Sequence, residues 1–136
     1  MDAVEVCTRA QEAMFARGDV NAVDSWTTEG VVTHTAPPGT PAGREGLKAT
    51  IAWLHSGLDN VTYAVQDAFA AGDKVTMRCT MSATHARPWL GSPATGRSFT
   101  VEQIHVFRVD GDRIAEHWAC RDDLGMLRQL GLAPTP

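Results

Sequence analysis

Much of what this chain lacks narrows its possible roles. No apolar run approaches the ~20 residues that a membrane-spanning helix needs. Cysteine is scarce: Cys7, Cys79 and Cys120 lie far apart, with no Cys-x-x-Cys pair. An odd, widely spaced set argues against a disulfide scaffold and for a reduced, cytoplasmic setting. The 12 Lys and Arg are scattered among 16 Asp and Glu, for a net charge of −4. That leaves no basic face for nucleic acid. "GSPATG" is not followed by the Lys-Ser/Thr that a phosphate loop requires, and no Ser or Cys occupies a nucleophile elbow. His, Cys and Asp do not fall at ligand spacing on one clear element, which argues against a metal site. The first residues, "MDAVEVCTRAQ", are acidic and then amphipathic, unlike a signal peptide.

What is present is one domain, residues 1–136, with an ordinary share of apolar residues at 43%. A chain of this length buries roughly two thirds of its unfolded surface. Val4, Cys7, Ala10, Met14 and Phe15 recur at helical spacing, predicting a helix from Ala3 to Arg17 that Gly18 ends. Asp19 can cap a second short helix through Trp26. "GVVTHTA", Gly30 to Ala36, reads as a strand closed by Pro37-Pro38-Gly39. Leu47, Ile51 and Leu54 lie on one face of a third helix, Arg44 to Ser56. The period then changes to two. Strands are expected at 60–70, 74–84, 99–109 and 113–120, and Asp122 or Asp123 caps a last helix through Leu130. This is an α+β fold, with helices on one face of a curved antiparallel sheet. Such a sheet, wrapped over the first helix, forms a cone with one open end. Its outer face needs cover, so a homo-oligomer, dimer or tetramer, is expected.

The last two strands carry unusual titratable residues: His105, Glu116 and His117, with Asp122 just beyond. If Asp110-Gly111 forms a two-residue turn, His105 lies beside Glu116. If the loop has three residues, His105 sits opposite His117, and this is the preferred register. A shift of one residue exchanges the two faces of the second strand. In either register Gln103 and His105 share a face.

His105 is a candidate acid/base or a donor to a substrate carbonyl; the plainer reading is a buried histidine satisfied by Gln103. His117 competes with Glu116 for the inward face. Asp122 is a candidate base, although a helix cap worth ~1 kcal/mol explains it as well. His34, at a strand end, and His85, opening the long loop after a strand, are candidates at the mouth. His55, near a helix C-terminus, reads as a dipole-compensating surface residue. Trp53, Trp89 and Trp118 are candidate substrate contacts, though large aromatics more often fill cores. Trp89, in "RPWLGSPATG", reads as an aromatic on a mobile loop that can close over an apolar ligand.

The segments "VVTHTAPPGTPAGREGLK", "GDKVTMRCTMSATH", "GSPATGR", "IHVFRVDGDRIAEHW" and "DDLGMLRQLG" occur in an order that resembles the SnoaL-like polyketide cyclases and related ester cyclases of the NTF2-like superfamily. The resemblance covers nearly the whole chain. It implies the NTF2-like cone and a cofactor-free enzyme acting on a polyketide-type small molecule. The reaction implied is an intramolecular aldol condensation, in which a carboxylate removes a proton alpha to a carbonyl and neighbouring donors steady the enolate. Gln103 and His105 match positions lining the family pocket, and His34 matches a histidine at its mouth. One position departs: many relatives carry an acid directly after "EHW", where this chain has Ala119. Asp122 or His105 would then have to substitute. The superfamily also includes epoxide hydrolases, epoxide-opening cyclases and non-catalytic ligand binders, and fold does not choose among them.

Overall fold

The computed structural model describes residues 1–134. Four helices and five strands follow in chain order: α1 (Ala3–Gln11), α2 (Ala22–Trp26), β1 (Thr27–Thr33), α3 (Gly43–Gly57), β2 (Leu58–Ala71), β3 (Lys74–His85), β4 (Ser98–Asp110), β5 (Arg113–Arg121) and α4 (Asp123–Leu130). The expected α+β architecture is present, with the five strands in one unclosed sheet in the order β1-β5-β4-β3-β2. β2 to β5 form an antiparallel meander, but β1 joins the edge parallel to β5, pairing Thr27 with Ile114 and Thr33 with His117. The antiparallel sheet expected from sequence is therefore mixed. β1 also starts earlier than read, directly after Trp26, because Thr27 is fully buried against the sheet.

The first helix does not run unbroken to Arg17. Asp2 caps α1 by accepting from the Glu5 N–H at 2.8 Å. After Gln11 the chain makes a π turn over Glu12–Ala16, with the Arg17 N–H reaching back to the Glu12 carbonyl at 2.9 Å. A π turn inserts one extra residue per turn and re-aims the side chains that follow. Met14 and Phe15 both become buried on it.

Both hairpins turn on a Gly-Asp pair. Ala71 pairs with Lys74 across Gly72-Asp73, and Asp110 pairs with Arg113 across Gly111-Asp112. Gly72 and Gly111 take positive φ (60° and 61°), the first-position geometry that favours glycine in tight hairpins. The second turn starts one residue later than in either register read from the sequence, at Gly111, and the three-residue loop of the preferred register is not formed. A bulge follows the turn. Arg108 pairs with Glu116 while Val109 pairs with Ile114, so Ala115 is the extra residue, and Ile114 and Ala115 are both buried. The two offsets combine to place His105 opposite Ala119 and Phe107 opposite His117. Further irregularities in β2, near Asp59–Thr62 and Val65–Asp67, bend its pairing with β3.

Two apolar clusters hold the layers together. One joins α1, α2 and α3 to the turn end of the sheet through residues such as Val6, Ile51, Val75 and Phe107. The other joins α4 to the opposite end through Leu58, Met81, Phe99 and Leu130. Leu54 and Tyr63 pack against both. Between the clusters the sheet leaves a cavity.

Candidate active site

The cavity has a volume of about 390 Å³, within the range of small-molecule sites. β4 and β5 form its floor with Gln103, His105, His117 and Arg121. β2 and β3 add Tyr63 and Met81, the π turn adds Phe15, and α3 adds Trp53 and Leu54. Asp123 and Met126 of α4 and the loop Thr35–Pro38 close the rim. A neighbouring cleft of about 510 Å³ lies between β1, α3 and the proline loop and shares Thr33, Ala36, Pro37, Leu47 and Thr50 with it. The cleft is larger, but no titratable side chain lines it.

On the floor, three side chains make one directed chain of hydrogen bonds. The Gln103 amide nitrogen donates to the Met81 sulfur at 3.2 Å. Its oxygen therefore faces His105 and accepts from Nε2 at 2.7 Å. His105 Nδ1 lies 2.8 Å from His117 Nε2. The two imidazole planes are within 8° and their centroids 5.1 Å apart. With nitrogens at 2.8 Å, this is an edge-to-edge N–H···N bond and not a face-on stack. Phe107 lies nearly parallel to both rings, 6.0 Å from His105 and 4.9 Å from His117.

Burial holds both rings neutral. Desolvation, reinforced by the Arg121 charge, lowers the His105 pKa to about 3. Burial, then His105, Arg121 and His34, push His117 well below the ordinary value as well. A neutral imidazole has one N–H. If His105 spends it on Gln103, its Nδ1 must accept from His117 Nε2–H. His117 Nδ1 is then the unprotonated end of the chain, and among the described residues no protein group bonds to it. Tyr63 stands beside this floor, its ring 6.5 Å from His105, and burial raises the pKa of its phenol.

The other candidates fall in different places. Asp122 is the N-cap of α4, accepting from the Gly125 N–H at 2.8 Å, and it lines an outer groove but not the cavity. His34 and Trp118 lie on the outer face of the sheet, stacked at 4.6 Å with planes 4° apart. There Glu116 accepts from Arg108 and faces His34 Nε2 at 3.1 Å, and the paired cation holds its carboxyl below the ordinary range. His85 is fully buried at the end of β3, its Nδ1 taken by Thr95, and it does not line the cavity. His55 is not a free surface residue: its Nε2 bonds to the Phe15 carbonyl at 2.7 Å, tying α3 to the π turn. Trp53 and Trp89 do line the cavity, 4.8 Å apart. The expected mobile flap is instead a tight turn, in which Trp89 and Ser92 exchange both backbone hydrogen bonds at 3.0 Å. Gly57 makes that packing possible, since a Cβ there would lie 2.3 Å from the Trp89 side chain.

Residues 5–130 match the SnoaL-like polyketide cyclase family. The chain belongs to that family. Two curated SnoaL-like relatives are the aklanonic acid methyl ester cyclases DauD, from Streptomyces sp. (strain C5), and DnrD, from Streptomyces peucetius. Each is 33% identical over 96 residues, 69% of this chain. The matched stretch spans 60% of DauD and 66% of DnrD. Among solved structures, TsrD from Streptomyces laurentii superposes with a TM-score of 0.86 at 30% identity, covering 97% of this chain and 98% of that one.

Sequence reading missed Phe15, Tyr63, Met81, Arg121 and Asp123 as cavity residues. A signal for Arg121 was available: alternation carries the His105–Ala119 face to it. Tyr63 and Met81 pair across β2 and β3, so strand alternation shows which face they share but not what they face. Nothing local marks the π turn that aims Phe15.

Proposed function

We propose that this chain is a polyketide cyclase that closes a ring by intramolecular aldol condensation, with His117 as the group that takes the proton. The observation that carries the reading is the directed chain from Met81 through Gln103 and His105 to the free Nδ1 of His117, set in the wall of an apolar cavity. Family membership and the names of DauD and DnrD support the reaction class.

The proton on a carbon next to a ketone passes to His117 Nδ1. The carbanion, stabilised as an enolate, attacks a second carbonyl of the same molecule. One C–C bond forms, the new alkoxide takes the proton back from His117, and no atom is lost. His105 assists through His117, because the imidazolium formed on His117 donates a stronger hydrogen bond to His105 Nδ1. Enolate and imidazolium form a pair in a site where water is displaced, which offsets the burial that otherwise holds His117 neutral. The acid implied by the resemblance, absent at Ala119, would have stood opposite His105. The histidine pair takes its place. Asp122 does not, because its carboxylate is engaged at the α4 cap.

The test is turnover of aklanonic acid methyl ester, and of the corresponding free acid, by the purified protein, with ring closure of either followed by mass spectrometry and ultraviolet absorbance. Ring closure is expected. His117→Ala should lower kcat by ~10²-fold or more, as for a lost general base. Unchanged turnover in that variant would remove His117 from the mechanism. Binding with no ring closure by the wild type would favour the non-catalytic reading that Ala119 raised.

A further inference from the structure

Arg121 is the last residue of β5, opposite Gln103 and on the inward face it shares with His117 and Ala119. It lines the cavity and is partly buried. Arg44, Arg78, Arg87 and Arg108 each have a carboxylate within 4.0 Å. Among the described residues Arg121 has no such partner and makes no side-chain hydrogen bond. Arg17, Arg97, Arg113 and Arg128 also lack an ion pair, but none of them lines the cavity. Asp123, on the same rim, does not come within ion-pair distance. The charge of Arg121 is felt across the floor, where it lowers the pKa of His105, His117 and Tyr63.

A half-buried guanidinium without a counter-charge carries an unmet desolvation cost. Its planar fork matches an oxyanion with two coplanar oxygens, and such bidentate pairs are among the strongest hydrogen bonds a side chain makes. We propose that Arg121 anchors an anionic group of the ligand, a planar oxyanion such as a carboxylate, so that the site takes a free acid in preference to its neutral ester. The inference deepens the cyclase reading by giving a charge to the substrate, and it rests on the cavity being the substrate site. It also separates this chain from DauD and DnrD, whose named substrate is a methyl ester.

Naphthoic acid and its methyl ester are a matched pair of aromatic probes for the cavity. Their binding to the full chain is measured by calorimetry at about pH 7, where the acid is ionised. The acid should bind about tenfold or more tightly than the ester, and its affinity should fall with added salt, as a charge contact requires. Arg121→Gln should abolish the preference, and Arg121→Lys should keep part of it. Equal binding of the two probes by the wild type overturns the proposal even if Arg121→Gln does not fold. Acid binding weaker than ~1 mM, or the same preference in Arg121→Gln, overturns it as well. The readout needs no turnover, so the two readings fail separately. A retained preference with no ring closure sinks only the cyclase chemistry, and ring closure without the preference sinks only the anion anchor.

Discussion

The two faces of the β4–β5 hairpin treat histidine in opposite ways. On the inner face, His105 and His117 are 2% and 4% exposed, bond to each other and lack any carboxylate partner. On the outer face, His34 is exposed, stacks on Trp118 and meets Glu116, which Arg108 also holds. Burial without a counter-charge makes the inner pair a neutral, oriented proton acceptor. Exposure with a carboxylate makes the outer group an ordinary surface ion cluster, of the kind that contributes little to stability. The same side chain, a few ångströms away across one sheet, becomes chemistry or surface according to its partners.

Acid is the strongest way to break this contrast. His105 has a folded pKa near 3 against 6.5 when free. Above pH 6.5 both states are neutral and its contribution is complete. As pH falls from there toward 3, the unfolded chain binds a proton that the folded one excludes. Stability should then drop by about 1.4 kcal/mol per pH unit for each such histidine. The depressed Glu116 works lower, its contribution being present above its ordinary 4.5 and lost only as pH falls further. Urea midpoints should therefore fall between pH 7 and 5 as the inner pair resists protonation, and His105→Gln should flatten the slope. A slope unchanged in that variant would show that the inner histidines are not held neutral.

A smaller effect is expected at Met81. Leucine conserves its volume at little cost to packing, but removes the sulfur that orients Gln103. The hydrogen-bond chain can then run in either direction, and kcat should fall about tenfold, or 1.4 kcal/mol. Nitrogen NMR of the His117 ring reads the tautomer directly. One unchanged tautomer, with unchanged kcat, would mean the sulfur does not set the direction. The smallest effect belongs to the outer face: His34→Ala and Glu116→Gln should leave turnover within about twofold of wild type. A larger loss would place the mouth histidine back in the reaction.

The order of elements and most strand limits were legible in the sequence, because alternation and helical spacing are local. Both Gly-Asp turns lie in plain view, yet a turn on Asp110-Gly111 and a three-residue loop fit the sequence equally, and both start one residue early. The bulge at Ala115 could not be read, since both its neighbours look like ordinary strand residues. The parallel docking of β1 was equally hidden, because it depends on a partner more than 80 residues away. In the site, Gln103, His105 and His117 could be picked out because polar residues in an apolar strand are conspicuous. Tyr63 and Met81 look like core. Asp122 looked as much like a base as a cap, and the short reach to the Gly125 N–H decides for the cap.

The extra residue at Ala115 has an evolutionary consequence. β5 carries two interleaved sets of side chains: His117, Ala119 and Arg121 in one phase, and Glu116, Trp118 and Cys120 in the other. Had the strand continued from the Val109–Ile114 pair without interruption, the second set would face the ligand. One inserted residue thus acts as a local frameshift. A descendant that lost Ala115 outright would keep His117 opposite Phe107 and the histidine wall facing inward, whereas one that kept every residue but paired the strand without the bulge would turn an acid-and-tryptophan wall to the ligand.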